Sequence, residues 1–265
     1  MKIGFIGLGN MAAAMIGGML GKGLVKPEEI IGSSKTELTA QNIKTKFGIT
    51  TVIDNARVAR ESDILFLAVK PVFFSEIIGE IRHEVKPDTL VVSIAAGRDL
   101  RYLKEEFGRP DLKLIRCMPN TPALVAEGCT GVCAGEGVSQ EDMDRVLELL
   151  RSFGTASEVP ERLMDVVVGV SGSSPAYVFM FIEAMADGAV AAGMPRQQAY
   201  EFAAQAVLGS ARLMLETGKH PGELKDMVCS PGGTTIQAVK VLEQRGMRAA
   251  VMDAMEACIN KSKNM

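Results

Sequence analysis

Residues 2–12 read Lys2-Ile3-Gly4-Phe5-Ile6-Gly7-Leu8-Gly9-Asn10-Met11-Ala12, and this stretch decides the fold. Lys2 to Ile6 has the apolar run of a buried strand, and Met11 to Lys22 the spacing of a helix. Between them stands G-x-G-x-x-A, the turn that leads a β-α-β unit from strand to helix and cradles a dinucleotide. Gly7 permits the tight turn, Gly9 lets a pyrophosphate approach the backbone, and Ala12 keeps the helix close to the strand. Leu8, Asn10 and Met11 complete a loop whose helix-start amides point at the anion. In isolation the hexapeptide is only a Gly-rich turn; its place between strand and helix gives it meaning.

Working outward, strands and helices alternate to about residue 160. Strands are expected at 29–32, 49–53, 64–69, 89–94, 113–117 and 129–134, with helices at 37–47, 73–85, 99–107 and 139–153. Apolar strands alternating with helices imply a parallel sheet covered on both faces. Ligands of such a sheet sit beyond the carboxyl ends of its strands. The second strand ends in Ser33-Ser34-Lys35, where an NAD-selective site carries an acidic residue. Two hydroxyls and a cation suit the 2′-phosphate of NADPH, with NADH possible, although Glu37 follows closely and Lys35 also fits a solvated lysine. Ala68-Val69-Lys70-Pro71 and Ala95-Ala96-Gly97 should line the cofactor. Their small residues let a flat ring lie against backbone; for Lys70, a cofactor contact and a surface charge both stand.

Beyond Pro160 no strand is expected. Helices follow at 161–168, 174–192, 195–217, 222–228, 234–245 and 247–261. Between Leu163 and Gly218 only seven of 56 residues are charged, against 23% for the whole chain. Helices so apolar need cover on nearly every face, and about 100 residues offer too little interior to supply it. A second subunit would, so this half is read as an oligomerisation domain; folding back onto the first half is the alternative. The resulting architecture is α/β, with an N-terminal Rossmann-type dinucleotide-binding domain over 1–160. An all-helical dimerisation and substrate-binding domain follows over 161–265.

Composition excludes several classes. The 265 residues carry a net charge of −3 and no basic stripe, which gives no reason to expect a nucleic-acid or anionic-membrane partner. The strand pattern beginning at Met1 leaves no room for a signal peptide. Apolar runs of about 18 residues are broken by polar, Gly or Pro positions, against a membrane span. Five cysteines and two histidines show no metal-ligand spacing, so no metal is expected. Free thiols suit a reducing cytoplasm.

The reacting end is short of acid–base groups. No lysine lies between Lys113 and Lys219, and no histidine between His83 and His220. Alcohol oxidation needs such a base, whereas a protonated cyclic imine accepts hydride through positioning and electrostatics; His220 could still reach the site. In Ser230-Pro231-Gly232-Gly233-Thr234-Thr235 the glycines precede a helix, and the hydroxyls lie beside its free amides. Two readings stand: a cradle for a carboxylate and a capped helix start.

Pro221 through Glu243, with its Ser-Pro-Gly-Gly-x-Thr core, resembles the signature segment of the pyrroline-5-carboxylate reductases. Met118-Pro119-Asn120-Thr121-Pro122, Ser171-Gly172-Ser173-Ser174-Pro175-Ala176-Tyr177, the N-terminal turn and Ala68-Val69-Lys70-Pro71 are similar to other stretches of that family. The resemblance implies reduction of 1-pyrroline-5-carboxylate to L-proline, the last step of proline biosynthesis, in interlocked dimers that can assemble further. It implies that Ser230, Gly233, Thr234 and Thr235 hold the substrate carboxylate and that Glu161 lies near the substrate. It also places Asn55 and Ser34 at the adenosine end of the cofactor. Without it, Glu161 reads as a carboxylate complementing the helix start after Pro160. Where some members have a threonine, this chain has Val168, which leaves no hydroxyl proton donor there, and the catalytic residue stays unassigned. A β-hydroxyacid dehydrogenase shares the plan but relies on a lysine in the long helix, absent here. A redox sensor that only binds NADP(H) would have no need of a second small-anion site.

Overall fold

The computed structural model describes residues 1–264. It divides into two compact units, one formed by residues 1–173 with the segment from Cys258 onward, the other by 174–257.

The first unit holds β1 (Ile3–Ile6), α1 (Asn10–Gly21), β2 (Ile30–Ser33), α2 (Glu37–Phe47), β3 (Thr50–Val52), α3 (Asn55–Glu61) and β4 (Ile64–Leu67). It continues through α4 (Phe74–Ile81), β5 (Leu90–Ser93), α5 (Leu100–Phe107), β6 (Lys113–Met118), β7 (Gly128–Ala134), α6 (Gln140–Leu150), β8 (Gly154–Glu158) and α7 (Met164–Val167). One eight-stranded sheet runs in the order β3-β2-β1-β4-β5-β6-β7-β8. The first six strands follow the doubly wound order of dinucleotide-binding folds, which reverses between β1 and β4.

Side-chain alternation explains why this sheet is buried on both faces. Ile3, Phe5, Ile30, Ile64, Phe66, Leu90 and Val92 enter one core, with α1 and α6 packed over it. Their neighbours Ile6, Ile31, Leu65, Leu67 and Val91 enter the other, under α3, α4 and α5. Phe5 and Phe66 sit opposite each other in register and their rings stack at 4.9 Å.

Three features differ from the sequence reading. The sheet is not wholly parallel: β7 runs antiparallel to β6, and β8 returns parallel to β7. The connection from β6 to β7 is nine residues long, too short for the crossover that a parallel pair requires. β8 and α3 were not expected, because Gly154–Glu158 and Asn55–Glu61 are short and polar. Their ends carry their own signals, since Asp54 caps α3 by accepting from Arg57 N. Finally, the helix expected over 161–168 is a 3₁₀ turn at Glu161–Leu163, then α7, then a π turn at Val168–Gly172.

The second unit contains α8 (Ser174–Ala191), α9 (Arg196–Thr217), α10 (Pro221–Val228), α11 (Thr234–Gln244) and most of α12 (Met247–Lys263). α8 packs along α9, yet in these two helices only Ala186, Ala199 and Ala203 are buried. Phe179, Met180, Phe202, Leu208 and Leu215 are exposed. The helical run Glu161–Ala191 is interrupted by Gly, Ser and Pro positions, as the sequence reading has it, yet one 18-residue window in it averages a hydropathy of 1.4, enough by length and composition alone to cross a bilayer. Small residues inside the run escape a search for unbroken apolar stretches without lowering that average.

Candidate functional site

The first unit carries a cleft of about 510 Å³ at the point where strand order reverses. Gly7, Leu8 and Gly9 line it from the β1–α1 turn, Ser33, Ser34 and Lys35 from the end of β2, and Ala68, Val69 and Lys70 from the end of β4. Asn55, at the start of α3, completes the set. Gly7 has φ +96°, and a Cβ there would lie 2.6 Å from the Ala68 carbonyl oxygen. No side chain fits that conformation or that space. A Cβ at Gly9 would meet nothing within 4 Å, so the backbone there is open to a ligand. α1 starts at Gly9 with no side-chain cap, which leaves its first amides for an anion. The cleft therefore fits a dinucleotide.

The other expected cofactor residues lie around this cleft without lining it. Asn10 and Met11 begin α1, with Met11 packed onto the core. Pro71 opens a 3₁₀ turn. Ala95 is buried after β5, and Ala96 lies in the turn that follows. The structure adds lining residues that sequence reasoning missed. Phe73, Glu76, Ile77 and Glu80 come from the segment leading into α4 and from α4 itself. Their signal was a helical spacing of 76, 77 and 80 along one face, readable only once α4 is known to flank the cleft.

Glu161 makes a different contact from the one its position predicts. Its Oε1 accepts from Leu100 N at 2.7 Å, so the carboxylate complements the N-terminus of α5 rather than the helical turn after Pro160. It also faces Arg116 at 3.7 Å, whose second carboxylate neighbour is Asp165 at 4.0 Å. Arg116 lies in β6 and its side chain is only 4% exposed; a buried guanidinium needs such partners. A lone arginine inside the apolar run Leu114-Ile115-Arg116-Cys117-Met118 was the available signal. Ser262 Oγ donates to Asp165 Oδ1 at 2.6 Å, tying the end of α12 to the same cluster. Cys133 is Arg116's partner across the antiparallel ladder. Burial, reinforced by the charge of Glu161, pushes its thiol up to about 12.

Asn120, within the Met-Pro-Asn-Thr-Pro stretch, is buried and pins the π turn. Its Nδ2 donates to Ser171 O at 2.9 Å, and its Oδ1 accepts from Cys129 N at 2.8 Å. The π turn itself shows in the Ser173 N to Val168 O bond of 2.8 Å.

In the second unit, Gly233 precedes α11 with no side-chain cap, and the first turn of α11 holds no acidic residue. Gly233 N donates to Ser230 O at 3.0 Å, folding residues 230–233 back over the helix start. Ser230 and Thr234 are exposed and Thr235 half-buried. The first amides of α11 are thus left without a side-chain cap, with hydroxyl side chains around them. His220 is engaged elsewhere: its Nδ1 accepts from Gly222 N at 3.1 Å and caps α10.

A doubly wound sheet with an open Gly-x-Gly turn at its switch point defines an NAD(P)-binding oxidoreductase, and comparison with known proteins agrees. The family described as NADP oxidoreductase, coenzyme F420-dependent, matches residues 2–97. The one described as pyrroline-5-carboxylate reductase dimerisation matches 161–265. Pyrroline-5-carboxylate reductase of Escherichia coli is 53% identical over 264 residues, covering 100% of this chain and 98% of that protein. The solved pyrroline-5-carboxylate reductase of Coxiella burnetii superposes with a TM-score of 0.92 at 33% identity, covering 99% of this chain and 97% of that one. The pyrroline carboxylate reductase of Plasmodium falciparum, solved with NADP bound, gives 0.89 at 32% identity, covering 99% and 97%. The chain belongs to the pyrroline-5-carboxylate reductase family.

Proposed function

We propose that this chain reduces 1-pyrroline-5-carboxylate to L-proline, using NADPH and accepting NADH, as a cytoplasmic homodimer or larger homo-oligomer. Residues 1–160 would bind the nucleotide, and 161–265 would carry subunit contacts and substrate. The observation that carries the reading is family membership along the entire chain. The geometry supports it with two glycine-started helices, α1 and α11, that lack side-chain caps.

When bound, the nicotinamide supplies the hydride. The protein's share is to hold and orient. Amides at the start of α1 hold the pyrophosphate, and Ser33, Ser34, Lys35 and Asn55 surround the adenosine end. Asn10, Met11, Ala68, Val69, Lys70, Pro71, Ala95 and Ala96 set the remaining walls. The uncapped α11 start, with Ser230, Gly233, Thr234 and Thr235, holds the substrate carboxylate. A cyclic imine takes its proton from water near neutrality, so no strong side-chain acid is needed, in keeping with His220 being engaged in a cap. Glu161 would sit near the substrate, its carboxylate held by Leu100 N and Arg116.

Thr235→Val tests the carboxylate assignment. A lost hydrogen bond to a charged group lowers kcat/KM for pyrroline-5-carboxylate by about tenfold to a hundredfold, followed as loss of reduced-nicotinamide absorbance. Unsubstituted 1-pyrroline, which has no carboxylate, should be a poor substrate and no worse with the variant. Equal losses on both substrates would leave Thr235 a part in the fold of the α11 start only.

A further inference from the structure

Two adjacent phenylalanines at the entry to α4 lie in different surroundings. Phe74 is 1% exposed and belongs to the core under α3, α4 and α5. Phe73 is 39% exposed and lines the nucleotide cleft, where it is the one aromatic side chain among the lining residues. A rigid turn holds it there. Pro71 opens the 3₁₀ turn with its fixed φ, Phe73 N donates to Lys70 O at 3.0 Å, and burial of Phe74 anchors the next residue. The Phe73 ring is thus presented to the cleft by fixed backbone.

Around the ring the cleft wall is apolar. Ile53, just past β3 and 49% exposed, and Ile77 of α4 line the same cleft. A flat aromatic ligand group meets here the surface that suits it, a ring face with aliphatic side chains beside it. Lys35, after β2, already uses that face: its Nζ lies over the Phe73 ring, 5.5 Å from the centroid. Lys35 is exposed, and among the described residues its ammonium makes no ion pair or hydrogen bond. A base stacked on the ring brings its atoms within about 4 Å of it, closer than the ammonium lies. The two cannot share one face.

We infer that Phe73 is the stacking platform for the adenine of the coenzyme, and that Lys35 and the base compete for its ring. The inference rests on the nucleotide reading of this cleft. A base takes the face only by displacing Lys35. A 2′-phosphate gives the displaced ammonium an anionic partner, whereas a 2′-hydroxyl leaves it in solvent. Lys35 therefore acts with opposite sign on the two coenzymes, supporting the one with the 2′-phosphate and opposing the one without.

The test is calorimetric titration of the full-length protein with adenosine 2′,5′-bisphosphate and adenosine 5′-monophosphate, which differ only in the 2′-phosphate. Phe73→Ala should weaken both by at least about fivefold, the low end of base–aromatic stacking. Phe73→Trp should restore both affinities. The chain has no tryptophan of its own, so the indole emission of that variant reports the site alone, and either nucleotide should quench it. Lys35→Ala should weaken the bisphosphate by about tenfold. It should tighten the monophosphate by about two- to fivefold, the size of the exposed cation–π contact no longer displaced. Phe73→Ala within about twofold of wild type, or Phe73→Trp no better than Phe73→Ala, overturns the platform. Lys35→Ala that weakens both nucleotides alike overturns the competition, since the lysine then acts only as a charge. If wild type binds neither nucleotide, the cofactor reading of the cleft fails and this inference with it; if it binds both and Phe73 is indifferent, only the inference fails.

Discussion

Cys133 illustrates how far one residue's chemistry depends on what surrounds it. Along the chain it is one of five scattered cysteines; in the fold it is buried opposite Arg116 in the β6–β7 ladder. Burial and the Glu161 charge raise its thiol to about 12, and burial with the neighbouring Cys133 raises Cys117 well above the ordinary range. In the unfolded chain a thiol loses its proton near pH ~8.5. From there up to about 12 the folded protein keeps the Cys133 proton that the unfolded chain has released. Their contribution to stability is therefore complete below the unfolded pKa and is lost as pH rises toward the folded value. Urea midpoints measured from pH 7.5 to 9.5 at fixed protein concentration should fall with pH, and Cys133→Ala should flatten that fall. A midpoint independent of pH in the wild type would contradict the burial argument.

Among the elements, the π turn at Val168–Gly172 shows best why a short segment departs from its local pattern. A helix pattern runs through Val166-Val167-Val168, but Gly169 and Gly172 offer little local preference, and the turn widens to an i→i+5 bond. The Ser171 carbonyl, four residues before Pro175, which has no N–H to donate, is satisfied by Asn120, which at the same time accepts from Cys129 N at the start of β7. One side chain thus fixes a loop, a strand start and an irregular helix. Asn120→Ala leaves two backbone groups without their partner, each costing about 1–3 kcal/mol when buried. The variant should lose about 2–3 kcal/mol of unfolding free energy, with faster hydrogen exchange at the Cys129 amide. A loss below about 0.5 kcal/mol, the range of surface substitutions, would mean that water or a neighbour replaces the side chain.

At the scale of the whole molecule, the helical unit has too little interior of its own. Phe179, Phe202 and Leu215 are 64%, 62% and 84% exposed, on helices whose buried positions are alanines. Exposed apolar surface of that extent marks an association surface, and the segment matches the family's dimerisation description. A carboxylate placed there would have to be buried unpaired on association. Phe202→Asp should therefore shift sedimentation toward the monomer by at least about tenfold in concentration. The wild-type melting temperature should rise with protein concentration, since association binds only the folded state. A wild type that sediments as an active monomer at every concentration would refute the assignment.

The sequence by itself determined the dinucleotide fold, the helical second half and the family, because these rest on short-range patterns. Gly7, Gly9 and Ala12 sit within one turn of one another, strands and helices differ in period, and the Pro221–Glu243 segment is contiguous. Only the tertiary structure decided which helix start Glu161 serves, since its partner Leu100 lies 61 residues earlier. It alone decided that β7 turns antiparallel, and that Glu80 sets the orientation of Asn55 across 25 residues. Hydrogen-bond direction is the common reason. Residue type states what Ser33 and Ser34 can donate or accept, but which of the two each does is fixed by neighbours that only folding brings within 3 Å.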